Sequence, residues 1–141
     1  MRTIGALIFP EFELLDLYGP LEMFSMYPDE FEIRIVAQYS PDMPSSGGPR
    51  TAVDDQITEQ DAYDILLVPG GRGTRNDIDN PVLIDWLKRA AAKAEIVASV
   101  CTGSALLAKA GLLDGKAATT NKLAFDWVAS HGPKTDWKRS A

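Results

Sequence analysis

Short apolar runs that alternate with segments of helical periodicity are the feature that most constrains how this chain folds. The runs at 3–9 (TIGALIF), 64–71 (DILLVPGG) and 95–100 (EIVASV) are typical of strands buried on both faces of a parallel sheet. Residues 31–37 alternate like a strand with one polar face, and 117–120 predict a short strand. This rhythm predicts an α/β fold with a mostly parallel sheet.

Helix signals fill the intervals between these runs. Pro20 fits a first helical turn, so a helix is predicted to run on from it, with Asp16 just before. Asn80 and Pro81 are an N-cap and a first-turn proline. The helix that they open is predicted to use apolar positions at helical spacing: Val82, Leu83, Trp86, Leu87, Ala90 and Ala94. Two further helices are predicted, one after Cys101 that ends at Gly111 and one over 122–130. Residues 40–60 predict a loop with a short hairpin.

Composition and charge limit the partners and the compartment. The 141 residues predict one domain over 1–141, and a formal net charge of −6 without a basic patch makes nucleic acid an unexpected partner. The single cysteine cannot form an internal disulfide, which fits a reducing compartment. Glu11, Glu13 and Asp16 interrupt the apolar start, so it is not read as a signal peptide, and no segment reaches the ~18 apolar residues of a membrane span. We expect a cytoplasmic protein that binds no membrane.

Cys101 lies where an apolar strand gives way to a helix. Small residues stand two before and two after it, Ser99 and Gly103, which is the spacing of a nucleophile elbow. A helix N-terminus there would favour the thiolate, and the backbone N–H of Thr102 would face a developing oxyanion. The alternative is a structural cysteine that fills space after a strand.

Two other segments carry candidate chemistry. The loop 68–77 (VPGGRGTRND) is neither a Walker loop nor a dinucleotide fingerprint, because no Gly-Lys-Ser/Thr follows and Asn76 replaces the third glycine. It is either a tight turn or a ligand-facing loop in which Gly71 supplies a second oxyanion donor. Asp16, set among leucines, is either a helix cap or a general acid whose pKa partial burial raises.

Histidine and metal chemistry have little support in the sequence. The only histidine, His131, stands at a predicted helix C-terminus and is not expected to act as a base. One cysteine and one histidine without ligand spacing predict no metal site.

Several segments together resemble the ThiJ/PfpI superfamily (the DJ-one group), and within it the isonitrile hydratase-like branch: LDLYGPLEMF, SSGG, ILLVPGG, SVCTGSALLAKAGLLDGKAATT and WVASHGP. The resemblance covers essentially all of the chain. It implies a flavodoxin-like α/β sandwich with helices on both faces, usually a homodimer, without a cofactor. Family domains commonly continue for a further strand and helix, which we expect this chain to lack.

The resemblance also implies roles for individual residues. Cys101 would attack the carbon of an isonitrile, and Asp16 would supply a proton and orient water, giving an N-substituted formamide. Backbone N–H groups of Gly71 and Thr102 would complete a pocket for this small-molecule substrate. Many members have a histidine where this chain has Asn121, which argues against a protease or amidase. Further candidates for the pocket wall are Tyr18, Arg72 and Asn121.

Two other functions use the same thiol and acid. A glyoxalase-like enzyme would act on reactive aldehydes, although such relatives often keep the histidine that Asn121 replaces. A redox-responsive stress protein would oxidise Cys101 without turnover.

Overall fold

A parallel sheet forms from the predicted apolar runs in the computed structural model, which describes residues 1–140. The elements in chain order are β1 (Arg2–Leu7), α1 (Leu14–Ser25), β2 (Phe31–Ala37), β3 (Asp42–Pro44), β4 (Arg50–Ala52), β5 (Asp55–Gln56), β6 (Ile65–Val68), α2 (Thr74–Asp77), α3 (Pro81–Lys93), β7 (Ile96–Ser99), α4 (Gly103–Lys109), β8 (Ala117–Ala118), α5 (Phe125–Ala129) and β9 (Asp136–Trp137). The α/β fold predicted from the sequence is therefore confirmed.

The strand order places a crevice at the centre of the sheet. The order is β5-β2-β1-β6-β7 and every pairing is parallel. Ile4 of β1 pairs with Ile33 on one side and Ile65 on the other, and all four residues of β6 are buried. After β1 the chain continues to β2 on one side of the sheet centre, and after β6 it continues to β7 on the other side. Because both crossovers are right-handed, α1 and α3 lie on opposite faces of the sheet. In such sheets ligands bind beyond the carboxyl ends of the strands where this direction reverses, here β1 and β6.

The first helix starts earlier than predicted. It begins at Leu14, so Pro20 lies inside it and Asp16 lies in its first turn. Pro20 has no N–H to offer the carbonyl of Asp16, which costs about 3 kcal/mol in a helix interior. Leu17 and Leu21, one turn apart, are both buried, and each burial contributes roughly 1.5–3 kcal/mol, which offsets that loss.

The helix at Asn80 forms as predicted, except that Ala94 lies just beyond its last residue, Lys93, and Val82 lies off its buried face. Asn80 Oδ1 accepts a hydrogen bond from the Leu83 N–H, and Pro81 is the first helical residue. Val82 is 51% exposed, whereas Ile84 is buried, because position 82 lies off the stripe that faces the core.

Three short elements were not predicted from the sequence, and one predicted strand is more exposed to solvent than expected. The predicted hairpin forms as antiparallel β3 and β4, but β5, α2 and β9 were not predicted. The run 95–100 was predicted to be buried, yet β7 is an edge strand in which Ile96 is 46% exposed. Within residues 1–140, no helix is both long and apolar enough to cross a bilayer.

Candidate active site

Three loops at the carboxyl ends of neighbouring strands converge on Cys101. The loop after β1 leads into α1 and Asp16, the glycine loop 70–73 follows β6, and Cys101 follows β7. The first two loops are joined by backbone hydrogen bonds, from Glu13 N–H to the Gly70 carbonyl (2.9 Å) and from Gly73 N–H to the Glu11 carbonyl (3.2 Å). A Cβ on Gly73 would lie 1.8 Å from the Pro10 carbonyl oxygen, so this close approach requires glycine.

Cys101 occupies a strained turn, as the elbow spacing predicts. Its φ is +53°, in the left-handed region that non-glycine residues rarely adopt. Gly103 is obligatory two residues later, because a Cβ there would lie 2.2 Å from the Val68 carbonyl oxygen. The carbonyl of Cys101 accepts hydrogen bonds from the hydroxyls of Ser104 (3.0 Å) and Thr120 (2.8 Å), which hold the turn in place.

The thiol of Cys101 and the carboxyl of Asp16 lie close enough for each to shift the pKa of the other. The Gly70 N–H also donates to Asp16 Oδ2 at 3.2 Å. The backbone N–H of Thr102 and the side chain of Asn121 also act on the sulfur, and both lower the pKa of the thiol. Asn121 is itself fixed, since its Oδ1 accepts from the Ala124 N–H (3.1 Å) at the start of α5. A thiol and a carboxyl that influence each other in this way titrate as a pair.

The direction of the thiol pKa corrects the sequence prediction. A helix N-terminus was expected to lower the pKa of Cys101, but burial raises it and the charge of Asp16 raises it further. Thr102 and Asn121 act in the opposite direction without reversing the shift. The helix that follows, α4, has only seven residues, and a half-buried sulfur beside a carboxylate outweighs its dipole.

The pKa of Asp16 is shifted upwards, in the direction predicted for a general acid. Burial raises its pKa and the nearby charge of Glu13 adds to this, whereas the hydrogen bond from the Gly70 N–H lowers it. A carboxyl with a raised pKa keeps its proton to higher pH than an ordinary aspartic acid, which suits a proton donor.

Gly71 does not offer the free donor that the sequence suggested. Its N–H already donates to Thr102 Oγ1 at 3.0 Å, and Thr74 Oγ1 lies 3.2 Å from that hydroxyl and donates to the Gly71 carbonyl at 2.8 Å. Gly71 has φ +130°, and a Cβ there would lie 2.5 Å from the Glu11 carbonyl oxygen. The Thr102 side chain therefore fastens the glycine loop to the elbow.

A cavity of about 220 Å³ opens at Cys101. Of the three wall residues predicted from the sequence, Arg72 and Asn121 line it. Tyr18 does not: it lies on the helix face over β4, where its hydroxyl is 2.7 Å from Thr51 Oγ1. The early start of α1 puts Tyr18 inside the helix and turns it away from the loop.

Sequence reasoning missed four lining residues, one of which, Ala124, directly precedes α5. Glu13, three positions before Asp16, could have been found from its place after the first strand. Thr74 and Arg75 belong to α2, a four-residue helix with no periodicity to detect.

His131 is absent from this cavity. It contacts Trp127 edge-on, with ring centroids 4.8 Å apart, and its Nε2 is buried without a hydrogen-bond partner in the described chain. Burial and the charge of Lys109 lower its pKa. Residues 1–140 contain no cluster of three or more side chains suited to hold a metal ion.

Comparisons with known proteins agree with this architecture. The model of the DJ-1/PfpI family matches residues 2–137. The chain is 35% identical over 129 residues to an isonitrile hydratase of Pseudomonas putida, covering 92% of this chain and 56% of that enzyme. It is 38% identical over 123 residues to the "Uncharacterized protein in cpoL 5'region" of Streptomyces lividans, covering 85% and 87% of the two chains. The crystal structure of a ThiJ/PfpI family protein from Pseudomonas syringae superposes with a TM-score of 0.85 at 30% identity, covering 93% of this chain and 55% of that one. The chain thus spans little more than half the length of the isonitrile hydratase.

Proposed function

Because this chain belongs to the DJ-1/PfpI family, we propose that it is a cysteine-dependent hydratase that converts an isonitrile and water into an N-substituted formamide. The observation that carries the proposal is the strained Cys101, whose sulfur meets the carboxyl of Asp16, the N–H of Thr102 and the side chain of Asn121. The 35% identity to an isonitrile hydratase supports this reaction, whereas the fold alone would fit many.

The first step joins the sulfur to the substrate. The sulfur of Cys101 attacks the terminal carbon of R–NC, and an S–C bond forms while one C–N π bond gives its electrons to the nitrogen, which leaves the original lone pair on the carbon. That carbon takes the proton of the thiol–carboxyl pair, delivered by Asp16. The product is a thioimidate, R–N=CH–S–Cys101. The raised pKa of Asp16 keeps this proton available.

The second step consumes water and releases the enzyme. Water adds to the thioimidate carbon as Asp16 accepts one of its protons, and the nitrogen gains a proton. The C–S bond then breaks, the sulfur recovers a proton, and R–NH–CHO leaves. One water is consumed and neither an oxidant nor a reductant is needed. Thr102 and Asn121 would stabilise the sulfur as it departs with its electron pair.

Turnover of a simple alkyl isonitrile tests the proposal. The protein should produce the formamide, detected by NMR of its formyl proton, and Cys101→Ala should abolish production. Asp16→Asn should reduce it strongly, whereas Asp79→Asn, an exposed aspartate outside the cavity, should not. Full activity in Cys101→Ala would contradict the proposal. Loss of methylglyoxal that depends on Cys101, without formamide production, would replace it with the aldehyde-directed alternative.

A further inference from the structure

Arg75 presents a positive charge at the cavity that nothing else in the described chain neutralises. It lines the cavity from α2, and its guanidinium carbon lies 4.3 Å from the centroid of the Trp127 ring. A guanidinium held over an aromatic ring by a cation–π contact still has N–H groups available to an acceptor. Within residues 1–140 its side chain makes neither an ion pair nor a hydrogen bond.

Arg72, the other arginine of the cavity, already has both an ion-pair partner and a hydrogen-bond acceptor. Its Nη2 lies 3.2 Å from Glu11 Oε1 and donates to the Ser46 carbonyl at 2.9 Å. The acidic side chains nearby are Glu13, which lines the cavity, and Asp16, which lies beside Cys101. Arg72 is already paired with Glu11, so the guanidinium of Arg75 is the positive charge on the cavity wall that has no acidic partner within residues 1–140.

We propose that Arg75 binds a carboxylate carried by the substrate, so that the site takes small, carboxylate-bearing electrophiles. The inference rests on the proposed function in that Cys101 is the reacting group. A planar guanidinium held by Trp127 suits two-pronged recognition of a carboxylate. A cavity of about 220 Å³ admits a compact molecule with the reactive carbon and the carboxylate a few bonds apart, such as isocyanoacetate.

Alkylation of Cys101 by two matched reagents gives the first test. Iodoacetate carries the carboxylate and iodoacetamide is its neutral counterpart, so the ratio of their rates cancels changes in thiol pKa. Arg75→Gln should lower the iodoacetate-to-iodoacetamide ratio about five- to tenfold, as expected for a lost charge-assisted contact at an exposed site. Arg72→Gln, which removes an arginine already paired with Glu11, should lower it less than twofold, an order-of-magnitude bound for an exposed pair. An unchanged ratio in Arg75→Gln, or an equal fall in both variants, would overturn the inference.

Equilibrium binding tests the inference without any thiol chemistry. N-formylglycine, the product expected from isocyanoacetate, should bind the wild-type protein more tightly than N-formylglycinamide, as measured by calorimetry. Arg75→Gln should remove this preference. If both compounds bind alike in the wild type, or neither binds, the inference fails. If the preference is present but no isonitrile is hydrated, the proposed function fails while the carboxylate site stands.

Discussion

Replacing Gly103 by alanine tests the packing that bends the chain at Cys101. The new Cβ would lie 2.2 Å from the Val68 carbonyl oxygen and 2.8 Å from that of Pro69. Relaxed carbon–oxygen contacts are about 3.3 Å or longer, so roughly 1 Å of overlap must be relieved. Both obstructing atoms belong to the backbone at the end of β6, and no side chain can rotate away.

The expected loss of stability follows from these distances. Overpacking costs typically 1–3 kcal/mol, and a backbone obstacle puts this site at about 3 kcal/mol. Alanine in a helix returns about 1 kcal/mol over glycine. The net loss in the free energy of unfolding is therefore about 2 kcal/mol, which corresponds to a fall in Tm of ~6 °C for a chain of this length.

Urea denaturation measures this loss in the free energy of unfolding, with Gly47→Ala as the control for Gly103→Ala. At Gly47 a Cβ would meet only Pro49 Cδ, at 3.8 Å, so the same substitution should leave stability equal or raise it by up to about 1 kcal/mol. Similar m-values are needed to compare the midpoints. Equal stability of the Gly103→Ala and wild-type proteins would refute the account of the turn.

Two further predictions concern the Thr102 hydroxyl and the buried imidazole. Thr102→Val leaves the Gly71 N–H without its acceptor and should cost about 1 kcal/mol in urea denaturation; unchanged stability would argue against the link between loop and elbow. His131 has a lowered pKa, so the unfolded chain binds a proton that the folded chain resists, and stability falls as pH drops through the ordinary value of 6.5. His131→Phe, which keeps an aromatic ring against Trp127, should flatten the stability profile between about pH 7 and 5; the same slope in both proteins would contradict this.

The central strands and α3 could be predicted because their signals are local. β6 is apolar at every position and buried on both sides, and Asn80 followed by Pro81 marks a helix start by capping chemistry alone. The exposure of β7 could not be predicted in this way. Its apolar composition matches that of a central strand, and only the strand order reveals that it lies at the edge.

The site was predictable where one residue depends on its neighbours in sequence, and less so where it depends on distant segments. The positive φ of Cys101 follows from the elbow spacing. The engagement of the Gly71 N–H, the position of Tyr18 and the place of Arg75 depend on how separate loops pack together. The thiol pKa was predicted in the wrong direction because burial and the Asp16 charge are tertiary effects, which the helix-dipole argument omits.

The rate of Cys101 alkylation by iodoacetamide as a function of pH, in the wild type and in Asp16→Asn, is the most direct test of the thiol–carboxyl pair. The negative charge of Asp16 raises the thiol pKa, so its removal should move the midpoint of the profile to lower pH and speed alkylation near neutrality. Asp79→Asn should leave the profile where it is. A midpoint that stays the same in Asp16→Asn, or rises, would contradict the claim that these two side chains act as one unit.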